Sequence, residues 1–167
     1  LERLTLIPLK YQALWSLCLD SGLRVVEVAM ILKNFSETKL TAVNGFYRYE
    51  VGAFRESKQA YYAYFTGSTF KLLQSLSKVD VKANNASHYF SKYGFISPKY
   101  LRKFAFDKMI ELEIPESVAD FIEGRVPRRI GAKHYMVLRR QADHFYTRYA
   151  RYLKKIRRKA ASQQASS

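Results

Sequence analysis

The chain has one cysteine, few acidic residues and no long run of apolar residues. Cys18 can form no internal disulfide and has no partners for a zinc site, so it is predicted to be a small core residue. No stretch approaches the roughly 20 apolar residues of a membrane span. The first residues mix charged and apolar positions and show no small-residue cleavage site, so no secretory leader is expected. These absences favour a globular domain of the cell interior.

The small number of acidic residues leaves a strong excess of positive charge. The 167 residues include 29 Lys and Arg but only 14 Asp and Glu, which gives a formal net charge of +15 at pH 7. This excess goes beyond what solubility requires and predicts a polyanionic partner. Because the basic residues are spread along the whole chain, the pattern favours the phosphate backbone of a nucleic acid over a membrane surface. A merely basic solvated surface is the alternative.

Several motifs of common enzymes are also missing. The sequence lacks paired histidine ligands, a glycine-rich phosphate loop and a nucleophile elbow. Metal-dependent hydrolysis, nucleotide hydrolysis and serine hydrolase chemistry therefore have little support. What is present is a set of basic residues at the starts of predicted helices, together with 13 tyrosines. This combination favours phosphate chemistry that needs no metal and no cofactor.

The apolar patterns predict a mainly α-helical fold with one small β-hairpin. Aromatic residues on both sides of GAFRESKQ predict the hairpin within residues 42–65. Residues 78–92 are expected to form a loop, and the basic tail 154–167 is expected to be disordered, which leaves residues 1–153 as one domain. Helices are predicted over residues 9–19, 23–32, 69–76, 98–112, 117–123 and 132–156.

Five sequence features follow one another in an order that resembles the tyrosine recombinases, the phage-integrase-like enzymes. They are SGLRVVEV, a lysine in the hairpin, KYLR, EGR and a tyrosine near a helix start. The first is similar to the family pattern TGLRxxE, KYLR stands where most members have HxxR, and Gly124-Arg125 stands where most have Gly-His. At both of these positions the sequence resembles the integrases of archaeal spindle-shaped viruses (fuselloviruses) and related archaeal plasmids. The resemblance covers about residues 9–153 and implies a tyrosine recombinase catalytic-domain fold.

The resemblance also implies a set of site residues. Arginine suits the task of holding phosphate because its planar fork can bind two oxygens and stays charged. A phenol, whose ordinary pKa is about 10, should need cationic neighbours to form the phenolate. The implied catalytic residues are Arg24, Lys58, Lys99, Arg102, Arg125 and the nucleophile Tyr135, with Glu27 as a supporting residue that shares the first helical turn with Arg24.

The implied reaction is DNA cleavage and rejoining through a 3′-phosphotyrosyl intermediate. Tyr135 would attack the phosphate, and Lys58 would give a proton to the departing 5′ oxygen. The partners would be double-stranded DNA at an attachment site and further copies of the chain, as a tetramer in the synaptic complex, in the cytoplasm and with no membrane. The alternatives are an inactive DNA-binding module of the same fold and a type IB topoisomerase-like enzyme that relaxes DNA.

Other basic residues compete for two of these roles. Arg55 lies near the same predicted hairpin tip as Lys58, and Arg128 and Arg129 share a basic loop with Arg125. A basic loop near DNA usually makes only phosphate contacts. Arg55, Arg128 and Arg129 are therefore predicted to bind the DNA backbone.

Two other tyrosines compete with Tyr135 for the role of nucleophile. Tyr146 and Tyr149 lie on the same helical run but should be too far from Arg125 to share a site with it. His134 adjoins Tyr135, yet helix neighbours point about 100° apart, so it is predicted to be a bystander.

Overall fold

Helices make up most of the computed structural model, which describes residues 1–52, 60–126 and 131–165. Single turns of 3-10 helix occur at Glu2–Leu6 and Glu37–Lys39. The mainly helical class with a small sheet is confirmed. The described residues form the helices α1 (Leu9–Ser21), α2 (Val25–Asn34), α3 (Gly67–Gln74), α4 (Ala83–Lys92), α5 (Pro98–Glu111), α6 (Glu116–Ile122) and α7 (Ala132–Ala165), and the strands β1 (Leu40–Val43), β2 (Phe46–Glu50) and β3 (Tyr62–Thr66).

The central element is α1. Every residue from Ala13 to Ser21 is buried, because α2, α3, α5 and β3 all pack against this helix. A helix enclosed in this way needs apolar residues all around rather than along one stripe. Cys18 is completely buried, as predicted, and burial raises the pKa of its thiol. The helix ends at Gly22, whose φ of 62° is the left-handed conformation typical of a helix C-terminus.

The predicted hairpin is present as β2 and β3, which pair antiparallel from Phe46 opposite Thr66 to Glu50 opposite Tyr62. Residues 53–59, and with them the predicted Arg55 and Lys58, lie outside the described residues.

A third strand, β1, was not predicted. It pairs antiparallel with the other side of β2, and the two strands are joined by Asn44 and Gly45, both at positive φ. Asn-Gly is the dipeptide that a two-residue hairpin turn favours, so the signal for this strand was in the sequence.

The prediction of a loop over residues 78–92 is wrong, because residues 83–92 form α4. Asn and Ser in this segment are weak helix formers. However, Ala86 and Phe90 are completely buried, and the Phe90 ring meets the ring of Tyr11 on α1 edge-on, with centroids 5.8 Å apart. Packing against α1 and α2 therefore stabilises a helix that its own sequence only weakly favours.

The predicted disorder of the tail does not agree with the structure, because α7 continues to Ala165. Arg157 anchors this part of the helix through an ion pair between its Nη2 and Oδ1 of Asp20, 2.5 Å apart. The other oxygen of Asp20 accepts hydrogen bonds from the backbone N–H and hydroxyl of Thr66 and from the hydroxyl of Thr69. A buried carboxylate on α1 thus fixes the tail to the core. None of the helices in the described ranges combines the length and apolar character needed to cross a membrane.

Replacing Arg157 by alanine should destabilise the fold by about 3 kcal/mol, because the completely buried Asp20 carboxylate would lose its counter-ion. The neighbouring Arg158 is exposed, so Arg158→Ala is a matched control that should change the free energy of unfolding by less than about 0.5 kcal/mol. Urea denaturation followed by circular dichroism compares the two variants. Equal stabilities would show that the Asp20 ion pair does not anchor the tail.

Candidate functional site

Three arginines that are far apart in the sequence lie together at one end of α1. Arg24 is the N-cap residue of α2, Arg102 lies in α5, and Arg125 follows α6. Because α1 packs on both α2 and α5, and α6 packs on α5, these three positions meet. We call Arg24, Arg102 and Arg125 the arginine cluster. The described residues that hold it are Gly22, Glu27, Glu123 and Gly124.

Arg24 is held by Glu27, one helical turn further on. Its Nη1 lies 3.1 Å from Oε1 of Glu27, and its backbone N–H donates to Oε2 of the same carboxylate at 2.8 Å. Glu27 is completely buried. Nη1 of Arg24 also donates to the carbonyl of Gly124 at 3.4 Å. The predicted proximity of Arg24 and Glu27 is thus confirmed, and Arg24 is tied to the segment that follows α6.

Arg102 lies at the centre of the cluster. Its Nη1 donates to the carbonyls of Gly22 at 2.9 Å and Glu123 at 2.8 Å. Its side chain is only 12% exposed. Burial lowers the pKa of Arg102, and the positive charges of Arg24 and Arg125 lower it further, whereas the negative charge of Glu123 opposes the change. Like charges therefore face one another across a partly buried space.

Glu123 pairs with two members of the arginine cluster and was not among the predicted site residues. Its completely buried carboxylate places Oε2 2.7 Å from Nη2 of Arg125 and 3.6 Å from Nε of Arg102. Burial raises the pKa of this carboxyl to about 8, although Arg102 and Arg125 both act to lower it. A Cβ on Gly22 would come within 2.5 Å of Oε1, so only glycine fits there. The only signal in the sequence was the glutamate within EGR.

Arg125 lies at the rim of the cluster, with its side chain 33% exposed. Its guanidinium lies 4.4 Å from the centre of the Phe106 ring, which is a cation–π contact, and its Nη1 is 3.8 Å from Oδ1 of Asp120. The preceding Gly124 has a φ of 66°, and a Cβ there would come within 2.6 Å of the Cβ of Ala60. Ala60 is the first described residue after 53–59. The part of the hairpin that leads into β3 therefore lies beside the cluster.

Lys99 lies on α5, three residues before Arg102, and its side chain is exposed. Within the described ranges it makes no hydrogen bond or ion pair with the arginine cluster. Arg128 and Arg129 lie outside the described residues, as do Arg55 and Lys58. The cluster therefore consists of three of the predicted cations, with Lys99 on the surface nearby.

Tyr135 lies in the first turns of α7 and makes no hydrogen bond with the arginine cluster. Its hydroxyl donates to the hydroxyl of Tyr62 on β3 at 2.5 Å, and its ring meets the Phe121 ring at 6.0 Å between centroids. Burial and the bond to Tyr62 raise the pKa of Tyr135, although Arg139 and Arg48 act to lower it. This direction is opposite to the lowering expected from cationic neighbours, because the phenol is partly buried and its hydroxyl faces another phenol rather than the arginine cluster.

The two rival tyrosines are core residues. Tyr146 and Tyr149 are completely buried, and their hydroxyls donate to the backbone carbonyls of Asp20 and Leu19, each at 2.8 Å. Burial raises the pKa of both phenols. They brace α7 against the end of α1 and are not placed to react. His134 is exposed at the start of α7.

Replacing Glu123 by glutamine should flatten the dependence of stability on pH. The pKa of this carboxyl is 4.5 ordinarily and about 8 in the folded protein, so folding takes up a proton between these values. The free energy of unfolding should therefore fall as pH rises through that window, by at most about 1.4 kcal/mol per pH unit, and glutamine removes this contribution. Urea denaturation across the window measures the effect, with exposed Glu116→Gln as the control. Parallel curves for Glu123→Gln and the wild type would contradict the prediction.

A family model described as archaeal phage integrase matches residues 3–152, which include the whole arginine cluster, Glu27, Glu123 and Tyr135. A search of curated proteins finds no match.

Proposed function

The chain belongs to the archaeal phage integrase family, and from this we propose that it is a tyrosine-type site-specific recombinase that integrates a viral or plasmid circle into a host chromosome. The observation that carries the proposal is the convergence of Arg24, Arg102 and Arg125 on the segment 123–124. Three guanidiniums gathered in a partly buried space repel one another, and a phosphate of DNA is an anion that would bind all three.

The arginine cluster suits phosphoryl transfer. In that reaction, negative charge develops on the non-bridging oxygens of the phosphate, and fixed cations stabilise it. Protein groups hold Arg102 on one side. Its Nη1 donates to the backbone carbonyls of Gly22 and Glu123, and its Nε faces the Glu123 carboxylate. Within the described ranges its Nη2 has no protein partner and can donate to a phosphate oxygen. Such fixed donors need little reorganisation when DNA binds.

We assign the nucleophile to Tyr135. Its phenol oxygen would bond to phosphorus as the bond from phosphorus to the 5′ oxygen breaks, which leaves a 3′-phosphotyrosyl link and a free 5′ hydroxyl. The phenol releases its proton to solvent, and the departing 5′ oxygen takes one from the Lys58 ammonium, two residues before Ala60 in the chain. Attack by the 5′ hydroxyl of another strand reverses the step, so no ATP is needed.

Cleavage then requires Tyr135 to leave Tyr62. Burial and the bond between the two hydroxyls raise the pKa of the Tyr135 phenol, and the bond keeps its hydroxyl apart from the arginine cluster. Tyr135 lies only four residues into α7, whereas Tyr146 and Tyr149 fix the helix further along. We therefore expect the first turns of α7 to move when the hydroxyl reaches a bound phosphate.

Other parts of the proposal follow the family. Lys99, exposed next to the arginine cluster, would contact the DNA phosphate in place of the histidine of most tyrosine recombinases. Arg55, Arg128 and Arg129 would bind the DNA backbone. Four copies of the chain would act together on two duplexes in the cytoplasm of the host cell.

Tyr135→Phe should abolish covalent capture of DNA. A nicked attachment-site duplex, whose cleaved 5′ fragment diffuses away, traps the intermediate as a protein–DNA adduct that survives denaturation. The wild type and Tyr100→Phe, which removes a hydroxyl from an exposed tyrosine on α5, should both form the adduct. An adduct in Tyr135→Phe would identify another nucleophile, and no adduct in any variant would favour an inactive DNA-binding module.

Tyr62→Phe should accelerate formation of the adduct about fivefold, since it removes a hydrogen bond worth about 1 kcal/mol that holds Tyr135 away from the arginine cluster. Tyr64→Phe removes another buried hydroxyl from the same face of β3, one that bonds to Asp143 rather than to Tyr135, and should have no such effect. Single-turnover rates at saturating DNA measure the difference. A slower reaction in Tyr62→Phe would mean that Tyr62 supports the reactive position instead.

A further inference from the structure

We propose that Glu123 is a positioning residue that orients Arg102 and Arg125 toward one phosphate, an inference that rests on the proposed function. A single oxygen of its carboxylate, Oε2, lies between Nη2 of Arg125 at 2.7 Å and Nε of Arg102 at 3.6 Å. Arg102 lies on α5 and Arg125 lies in the segment after α6, so this oxygen is a direct link between two parts of the chain. The position of this oxygen sets the angle at which each guanidinium faces outward.

The surroundings of Glu123 confine its carboxylate on the side of Gly22. The residue is completely buried, and Oε1 lies against the Cα of Gly22, where even a methyl group would approach within 2.5 Å. The backbone carbonyl of the same residue accepts a hydrogen bond from Nη1 of Arg102 at 2.8 Å. Glu123 thus holds Arg102 through both its side chain and its main chain.

A purely structural role explains this arrangement poorly. The contacts of the carboxylate are ion pairs, and among the described residues neither oxygen has a well-directed hydrogen bond. Burial of a carboxylate without such hydrogen bonds costs free energy of folding, as the raised pKa of the group also indicates. The apolar side of α6 already packs through Val118, Phe121 and Ile122. An acidic residue at this position stabilises the approach of Arg102 and Arg125 rather than the helix itself.

Asp120, which lies on α6 three residues before Glu123, provides a natural comparison. Its Oδ1 lies 3.8 Å from Nη1 of Arg125, but its side chain is 36% exposed and it makes no ion pair with Arg102. A carboxylate at the surface is screened by water and holds its partner weakly. Removal of the Asp120 charge should therefore leave the orientation of the arginine cluster unchanged.

The test uses the nicked attachment-site duplex with a phosphorothioate at the scissile position, prepared separately as the two diastereomers. Oriented guanidiniums contact the two non-bridging oxygens differently, so the wild type should cleave the two diastereomers at different rates. Glu123→Ala should form the adduct about tenfold more slowly at saturating DNA, with the ratio between diastereomers closer to one. The DNA concentration at half-maximal rate should stay within about twofold, because many other basic residues bind the backbone.

Two further variants separate positioning from folding. Glu123→Gln keeps the shape and one acceptor oxygen, so it should recover most of the rate and of the diastereomer ratio, whereas Asp120→Asn should match the wild type. A loss of folded protein slows both diastereomers equally and leaves their ratio unchanged. Full rate and an unchanged ratio in Glu123→Ala would overturn the inference while the proposed function stands. No adduct in the wild type would overturn the proposed function and this inference with it.

Discussion

The mutual repulsion of three guanidiniums is the constraint on which the rest of the site depends. Arg24, Arg102 and Arg125 meet where two buried carboxyl groups and several backbone carbonyls accept their contacts. Glu27 holds Arg24, and Glu123 holds the other two. The arrangement therefore exists before DNA arrives, and it presents positive charge whose natural counter-ion is a phosphate.

This constraint also explains two backbone features. Gly22 and Gly124 both have positive φ, and each lies so close to a neighbour that no side chain would fit. Gly22 makes room for the carboxylate of Glu123, and Gly124 makes room for Ala60, two residues before β3. The ends of α1 and α6 and the returning arm of the hairpin can thus approach one another. The glycines allow the short distances that the ion pairs of the cluster need.

Local patterns in the sequence predicted much of the fold and part of the site. The pairing of Arg24 with Glu27 followed from helical spacing, and the Asn44-Gly45 turn could have revealed β1 by the same kind of reasoning. Features that depend on distant contacts could not be read in this way. Glu123 is buried where α5, α6 and the end of α1 meet, and Tyr135 bonds to Tyr62, 73 residues away. The order of the tail likewise depends on Asp20, 137 residues before Arg157.

In the structure the arginine cluster is already assembled, whereas the proposed nucleophile Tyr135 is bonded to Tyr62 and not to the cluster. A crystal structure of the chain bound to attachment-site DNA tests this account most directly. We expect Arg24, Arg102 and Arg125 to donate hydrogen bonds of about 2.9 Å to one phosphate, with the ion pairs of Glu123 unchanged and the Tyr135 hydroxyl released from Tyr62. DNA that runs along another basic face, such as the exposed side of α7, with no phosphate at the arginine cluster, would contradict the central claim.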